Sequence, residues 1–131
     1  MNKENFNTKV TIILLWITML LNMIFADIFS IIVEIVNGGV LDIPLDVLKM
    51  MAIAAVITNI PILMIVLTWV LPFKINKWLN IIAAILTVVY IIGGAAFLPH
   101  YYIIASIEIV LLISIITIAI KWKSSTLKIM I

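Results

Sequence analysis

The sequence predicts an all-α fold, a four-helix transmembrane bundle running up-down-up-down. Three observations carry this expectation. Of the 131 residues, 66% are hydrophobic, and mean hydropathy is +1.40; a soluble domain is about 45–50% apolar. Four apolar runs each reach the roughly 20 residues that a membrane span needs. Turn-forming residues separate the runs. A chain this short in water could not hide so much apolar surface, whereas lipid solvates it. Residues 1–131 therefore read as one four-span membrane domain.

The first span covers about residues 10–33. A signal peptide is the alternative, with Lys3 and Lys9 as its basic region. The apolar run exceeds the usual ~7–15 residues, and no small-x-small cleavage site follows it. It reads as a retained helix. Asn37-Gly38-Gly39 and Pro44 then break the chain. Asp46 is placed to cap the second span, about 47–71, by accepting from free amide groups. Pro61 lies within that span. It has no N–H for the Ile57 carbonyl, so a mid-span kink is expected. Residues 72–77 form the second break. The third span covers about 78–98 and the fourth about 101–120. Pro99-His100 reads as a very short turn that makes the last two spans an antiparallel hairpin.

Lysine placement sets the expected topology. All eight basic residues are lysines. Lys3, Lys9, Lys74, Lys77, Lys121, Lys123 and Lys128 fall on one side of the four spans, and only Lys49 falls on the other. The positive-inside rule puts the lysine-rich side, with both termini, in the cytoplasm of a multi-pass cell-membrane protein. Trp16, Trp69, Trp78 and Trp122 lie toward that side and read as interfacial anchors. Tyr101 and Tyr102 mark the opposite interface.

Ionisable groups inside hydrocarbon are costly, and each needs a reason. Asp27, Tyr90 and Glu108 each lie about 10 Å inside the outer boundary, at 1.5 Å per residue. Helical spacing groups Trp16, Leu20, Met23, Asp27, Ser30 and Glu34 into one stripe. Ala83, Thr87, Tyr90, Gly94 and Phe97 form a second. Tyr101, Ala105, Glu108, Leu112 and Ile115 form a third. The three polar groups are expected to meet in a pocket nearer the outer leaflet. Gly93, Gly94, Ala95 and Ala96 have little side chain and would let the third helix approach a neighbour closely. Asn22 and Asn59 sit near mid-span, where they could hydrogen-bond to each other.

No lysine lies at the depth of Asp27 and Glu108. Two carboxylates in low dielectric without a cation should not both stay ionised. Either a proton is held there, or a cation arrives from outside: a proton in transit, a metal ion or an organic amine. Asp27, Glu108, Tyr90, Asn22 and Asn59 are therefore the candidate ligand-binding residues. The competing reading makes the same groups interhelical fasteners in a structural or accessory subunit.

Other classes are poorly served. There is no cysteine, which excludes disulfides, thiolate metal sites and thiol redox chemistry. The lysines form no patch that would follow a phosphate backbone, so no nucleic-acid partner is expected. The partners expected are the lipid bilayer and a small ligand or cation, with a homo-oligomer left open. No glycine loop cradles a phosphate, and no cofactor is expected. His100 alone makes no metal site and reads as a surface residue. Two acids could do acid–base chemistry but specify no substrate.

Several segments are distinctive. They are Leu15-Trp16-Ile17 with Asn22-Met23-Ile24-Phe25-Ala26-Asp27-Ile28, then Ile60-Pro61-Ile62, then Lys77-Trp78-Leu79-Asn80-Ile81-Ile82-Ala83. Tyr101-Tyr102-Ile103 with Ile107-Glu108-Ile109 completes the set. Together they resemble an uncharacterised family of small four-helix prokaryotic membrane proteins, a domain of unknown function. More loosely, the chain resembles DoxX-like four-helix proteins. The first resemblance implies polar signatures at Asn22, Asp27, Pro61, Asn80 and Glu108. Neither resemblance implies an activity.

Overall fold

The structure is a computed structural model, and its described residues are 3–37, 45–94 and 99–123. They form helices α1 (Lys3–Val36), α2 (Leu45–Val70), α3 (Phe73–Gly93) and α4 (Pro99–Lys121). All four are long and apolar enough to cross a bilayer. α1 packs on α2 and α4, and α3 packs on the same two neighbours. The bundle is therefore square in section, with successive helices adjacent. The start of α1, the end of α4 and the α2–α3 connection lie at one end, the terminus end. The end of α1, the start of α2, the end of α3 and the start of α4 lie at the far end.

The helices differ from the apolar runs at their ends. α1 has 34 residues, roughly 50 Å of helix, and outruns the ~30 Å hydrocarbon core. α3 starts at Phe73 rather than 78, because Lys74, Asn76 and Lys77 continue the helix. Pro72, with φ −69° and ψ 159°, is the residue that separates it from α2. α3 also ends at Gly93, short of the expected 98. Pro99 and His100 belong to the first turn of α4 instead of forming a turn themselves. A proline fits there because the first helical N–H needs no intrahelical partner. The Asp46 side chain, Gly38, Gly39, Pro44, Ala95 and Ala96 fall outside the described part.

The core follows helical periodicity. α1 buries Lys9, Ile12, Trp16, Met19, Met23 and Ala26, alternating steps of three and four residues. α4 buries Glu108, Leu112, Ile115 and Ala119. The buried line of α1 differs from the expected stripe by one residue at two levels. Met19 and Ala26 face inward, so Leu20 and Asp27 sit on the edge of that face. The outside is apolar too, with Leu14, Phe25, Val56, Ile85 and Val110 all exposed. Helices that are apolar all round suit a lipid surround.

α2 packs unevenly along its length. Pro61, Met64 and Thr68 are buried, whereas no residue from 48 to 60 is. Pro61 lies inside the helix where this change occurs.

Candidate functional site

The polar side chains gather in two places, and they are satisfied very differently. At the terminus end, Asn80 of α3 is the hub of a buried network. Its Oδ1 accepts from Trp16 Nε1 of α1 at 2.8 Å and from Thr68 Oγ1 of α2 at 3.2 Å. Its Nδ2 donates to Asn76 Oδ1 at 2.7 Å and to the Asn76 carbonyl at 2.9 Å. Asn76 Nδ2 donates in turn to the carbonyls of Thr68 at 2.7 Å and Leu71 at 3.3 Å. Lys9 is buried beside them, with Nζ donating to the carbonyls of Trp69 at 3.2 Å and Leu71 at 3.3 Å. The last carbonyls of a helix have no intrahelical donor, and a cation there also suits the helix dipole. Trp122 Nε1 donates to Asn5 Oδ1 at 2.7 Å, and Lys77 Nζ donates to the Trp122 carbonyl at 3.3 Å. All four helices are thereby tied together at this end.

Sequence reasoning missed this network. By polarity, Asn76 falls in the break between the second and third spans. Trp16 and Trp122 read as interfacial anchors in the sequence, yet both are buried and hydrogen-bonded. Trp69 and Trp78 are exposed, as anchors would be. The available signal was the Asn76–Asn80 spacing of one helical turn, with Trp16 on the inward line of α1.

At the far end, a cavity of about 90 Å³ lies between α1, α3 and α4. Asp27 from α1, Tyr90 from α3 and Glu108 from α4 line it, together with Tyr101, Gly94, Met23, Ala26 and Ile91. The cavity has room for a few waters or one small polar group. Glu108 sits on the central inward line of α4 and is 4% exposed. Asp27 lines the cavity from the edge of α1 and is exposed. Tyr90 occupies a similar edge position on α3 and is half-buried. Tyr101 stands on the Glu108 face two turns earlier and donates from its hydroxyl to the Ile91 carbonyl at 3.0 Å. That bond holds the start of α4 against the end of α3. It also places Tyr101 in the cavity wall, a role beyond the interfacial marker its sequence position suggested.

The chemistry of this cavity is incomplete. Glu108 Oε1 has no hydrogen-bond partner, and no other buried side-chain nitrogen or oxygen among the described residues shares that state. No lysine lines the cavity. A buried acceptor without a donor costs free energy, more so when charged. The same described residues hold no group of three or more His, Asp or Glu suited to a metal ion.

A model of a family of unknown function, DUF6326, matches residues 3–129. The chain belongs to that family. The match covers nearly the whole chain and agrees with the uncharacterised family that the motifs resemble; the DoxX-like likeness is not shown by it. No curated protein and no solved structure matches.

Other sequence expectations require correction. Asn22 and Asn59 neither pair with each other nor line the cavity. Asn59 is exposed and donates to the Ala55 carbonyl of its own helix at 2.7 Å. An asparagine can satisfy itself on the preceding helical turn, and nothing then pulls α2 toward Asn22. Gly93 packs against no neighbour: a Cβ added there would meet nothing within 4 Å. At Gly94 a Cβ would meet the Tyr90 carbonyl at 3.3 Å and the Tyr101 hydroxyl at 3.8 Å. His100 is half-buried in α4, with Nε2 3.2 Å from Ser30 Oγ and its ring edge-on to Phe29.

Proposed function

We propose that this chain is a multi-pass cell-membrane protein with cytoplasmic termini that binds a cationic group between Asp27 and Glu108, as a binding or transport bundle. The observation that carries the reading is that Glu108, whose buried Oε1 lacks a hydrogen-bond partner, lines a cavity that a second carboxylate shares. The group could be a proton, a small cation or the charged end of an amphiphilic molecule. Each would offset the cost of holding the buried Glu108 carboxyl, with Asp27 beside it, without a basic partner. The lysine bias supports the orientation, which puts the cavity nearer the outer leaflet.

The test is a thermal-shift titration of purified protein with butylamine, a small cation carrying N–H donors. Wild-type protein should be stabilised by saturating amine, since a ligand that binds only the folded state raises its stability. Glu108→Gln and Asp27→Asn should fold and lose that response. A second reading, a structural or accessory subunit, draws on the fastened network at Asn80. It predicts that the same variants change stability alone. For orientation, a cysteine at Asn37 should be labelled from outside intact cells and a cysteine at Ile75 spared. The opposite pattern would invert the topology.

A further inference from the structure

Beside the acidic cavity, a groove of about 610 Å³ runs between the unburied half of α2 and the end of α3. Met50, Met51 and Ala54 of α2 and Gly93 of α3 line it, and Tyr90 and Gly94 line both spaces. The groove wall is almost wholly apolar, and the cavity wall holds both carboxyl groups. A small polar site and a larger apolar one thus meet at two shared residues.

We propose that the ligand is a single-chain alkylamine whose ammonium head enters the Asp27–Glu108 cavity while its hydrocarbon chain lies along the α2–α3 groove. This rests on the cation-binding reading above. Charge complementarity selects the head: two carboxyl groups, no basic side chain, and an acceptor on Glu108 that lacks a donor. The missing partner is a hydrogen bond as well as a charge, so a head with N–H groups suits it better than a quaternary ammonium. A cavity of about 90 Å³ also favours a compact head. The exposed sides of Met50 and Met51 select the tail, since flexible thioethers adapt to a chain of variable shape. Gly93 keeps the groove open, as its missing side chain leaves free space. Exposure along α2 from residue 48 to 60 gives the tail a lateral route from the surrounding lipid.

The experiment uses the full chain in phosphatidylcholine nanodiscs, with binding read by thermal shift. The probes are dodecylamine, butylamine, dodecyltrimethylammonium and dodecanol. Wild-type protein should bind dodecylamine at least tenfold more tightly than the quaternary analogue and should ignore dodecanol. Gly93→Leu projects into the groove from a position where an added Cβ meets nothing within 4 Å; it should weaken dodecylamine binding at least tenfold and leave butylamine binding unchanged. Glu108→Gln should lose both amines. Unchanged dodecylamine binding in Gly93→Leu, with loss in Glu108→Gln, would overturn the groove assignment and keep the acidic site. Amine responses that Glu108→Gln leaves intact, or none in the wild type, would overturn the cation-binding reading and this proposal with it. Equal binding of dodecanol would overturn the charge-selected head.

Discussion

The two ends of the bundle hold their polar side chains in opposite states. At the terminus end, Asn80 has every donor and acceptor engaged, and Trp16, Thr68 and Asn76 bond to it from three helices. At the far end, Glu108 is as deeply placed, yet Oε1 meets no donor. α2 follows the same division, buried at Pro61, Met64 and Thr68 and open from 48 to 60. A satisfied buried network rigidifies and specifies one arrangement. An unsatisfied one is costly, and a binding partner can remove the cost. The comparison teaches that polarity inside a bundle is not evidence of a site until hydrogen bonds have been counted. By that count the Asn80 cluster is a fastener, and the Glu108 cavity is where the proposed ligand would bind.

The largest expected effect breaks the fastener. Asn80→Leu would strand Trp16 Nε1, Thr68 Oγ1 and Asn76 Oδ1 in the core, at roughly 1–3 kcal/mol for each stranded group. Unfolding in detergent should show a large loss of stability. A loss under about 1 kcal/mol would mean that the network relaxes onto other partners, as intramembrane hydrogen bonds can. Next in size is Trp16→Phe, which keeps most of the ring and removes the donor. It should cost about 1–2 kcal/mol in the same measurement. The far end should respond with the opposite sign. Glu108→Gln should leave stability unchanged or raise it, because replacing a buried charge is often neutral or stabilising. A clear destabilisation would make Glu108 a structural acid and erase the contrast between the ends. The smallest expected effect is from Gly93→Leu in the absence of ligand, within about 0.5 kcal/mol of wild type, since an added Cβ there meets nothing within 4 Å.

The helices were legible because each apolar run is long and turn chemistry lies between the runs. Their ends were less so. Lys74, Asn76 and Lys77 look like a loop by polarity, whereas the structure uses them as the first turns of α3. Asp27, Tyr90 and Glu108 could be grouped from depth and stripe alone, and all three line one cavity. Asn22 and Asn59 could not be resolved by depth. Pairing depends on helix rotation and separation, and Asn59 finds a carbonyl on its own helix. One step of rotation also separates Ala26, on the inward line of α1, from Asp27 at its edge. A stripe of residues at helical spacing does not fix which of two adjacent lines faces the core. The Asn80 hub showed in the sequence only as a polar signature of the family resemblance and as the Asn76–Asn80 spacing of one turn; its partners, on three helices, could not be assigned from spacing.

The most direct test of the receptor at Glu108 is the shift in melting temperature on saturating butylamine, measured side by side on wild-type protein and Glu108→Gln. The short amine needs only the acidic cavity, so the result does not depend on the groove. The cation-binding reading predicts a concentration-dependent rise for wild type and none for a Glu108→Gln protein whose circular dichroism shows an intact helical fold. An equal rise in both proteins, or none in either, would contradict it.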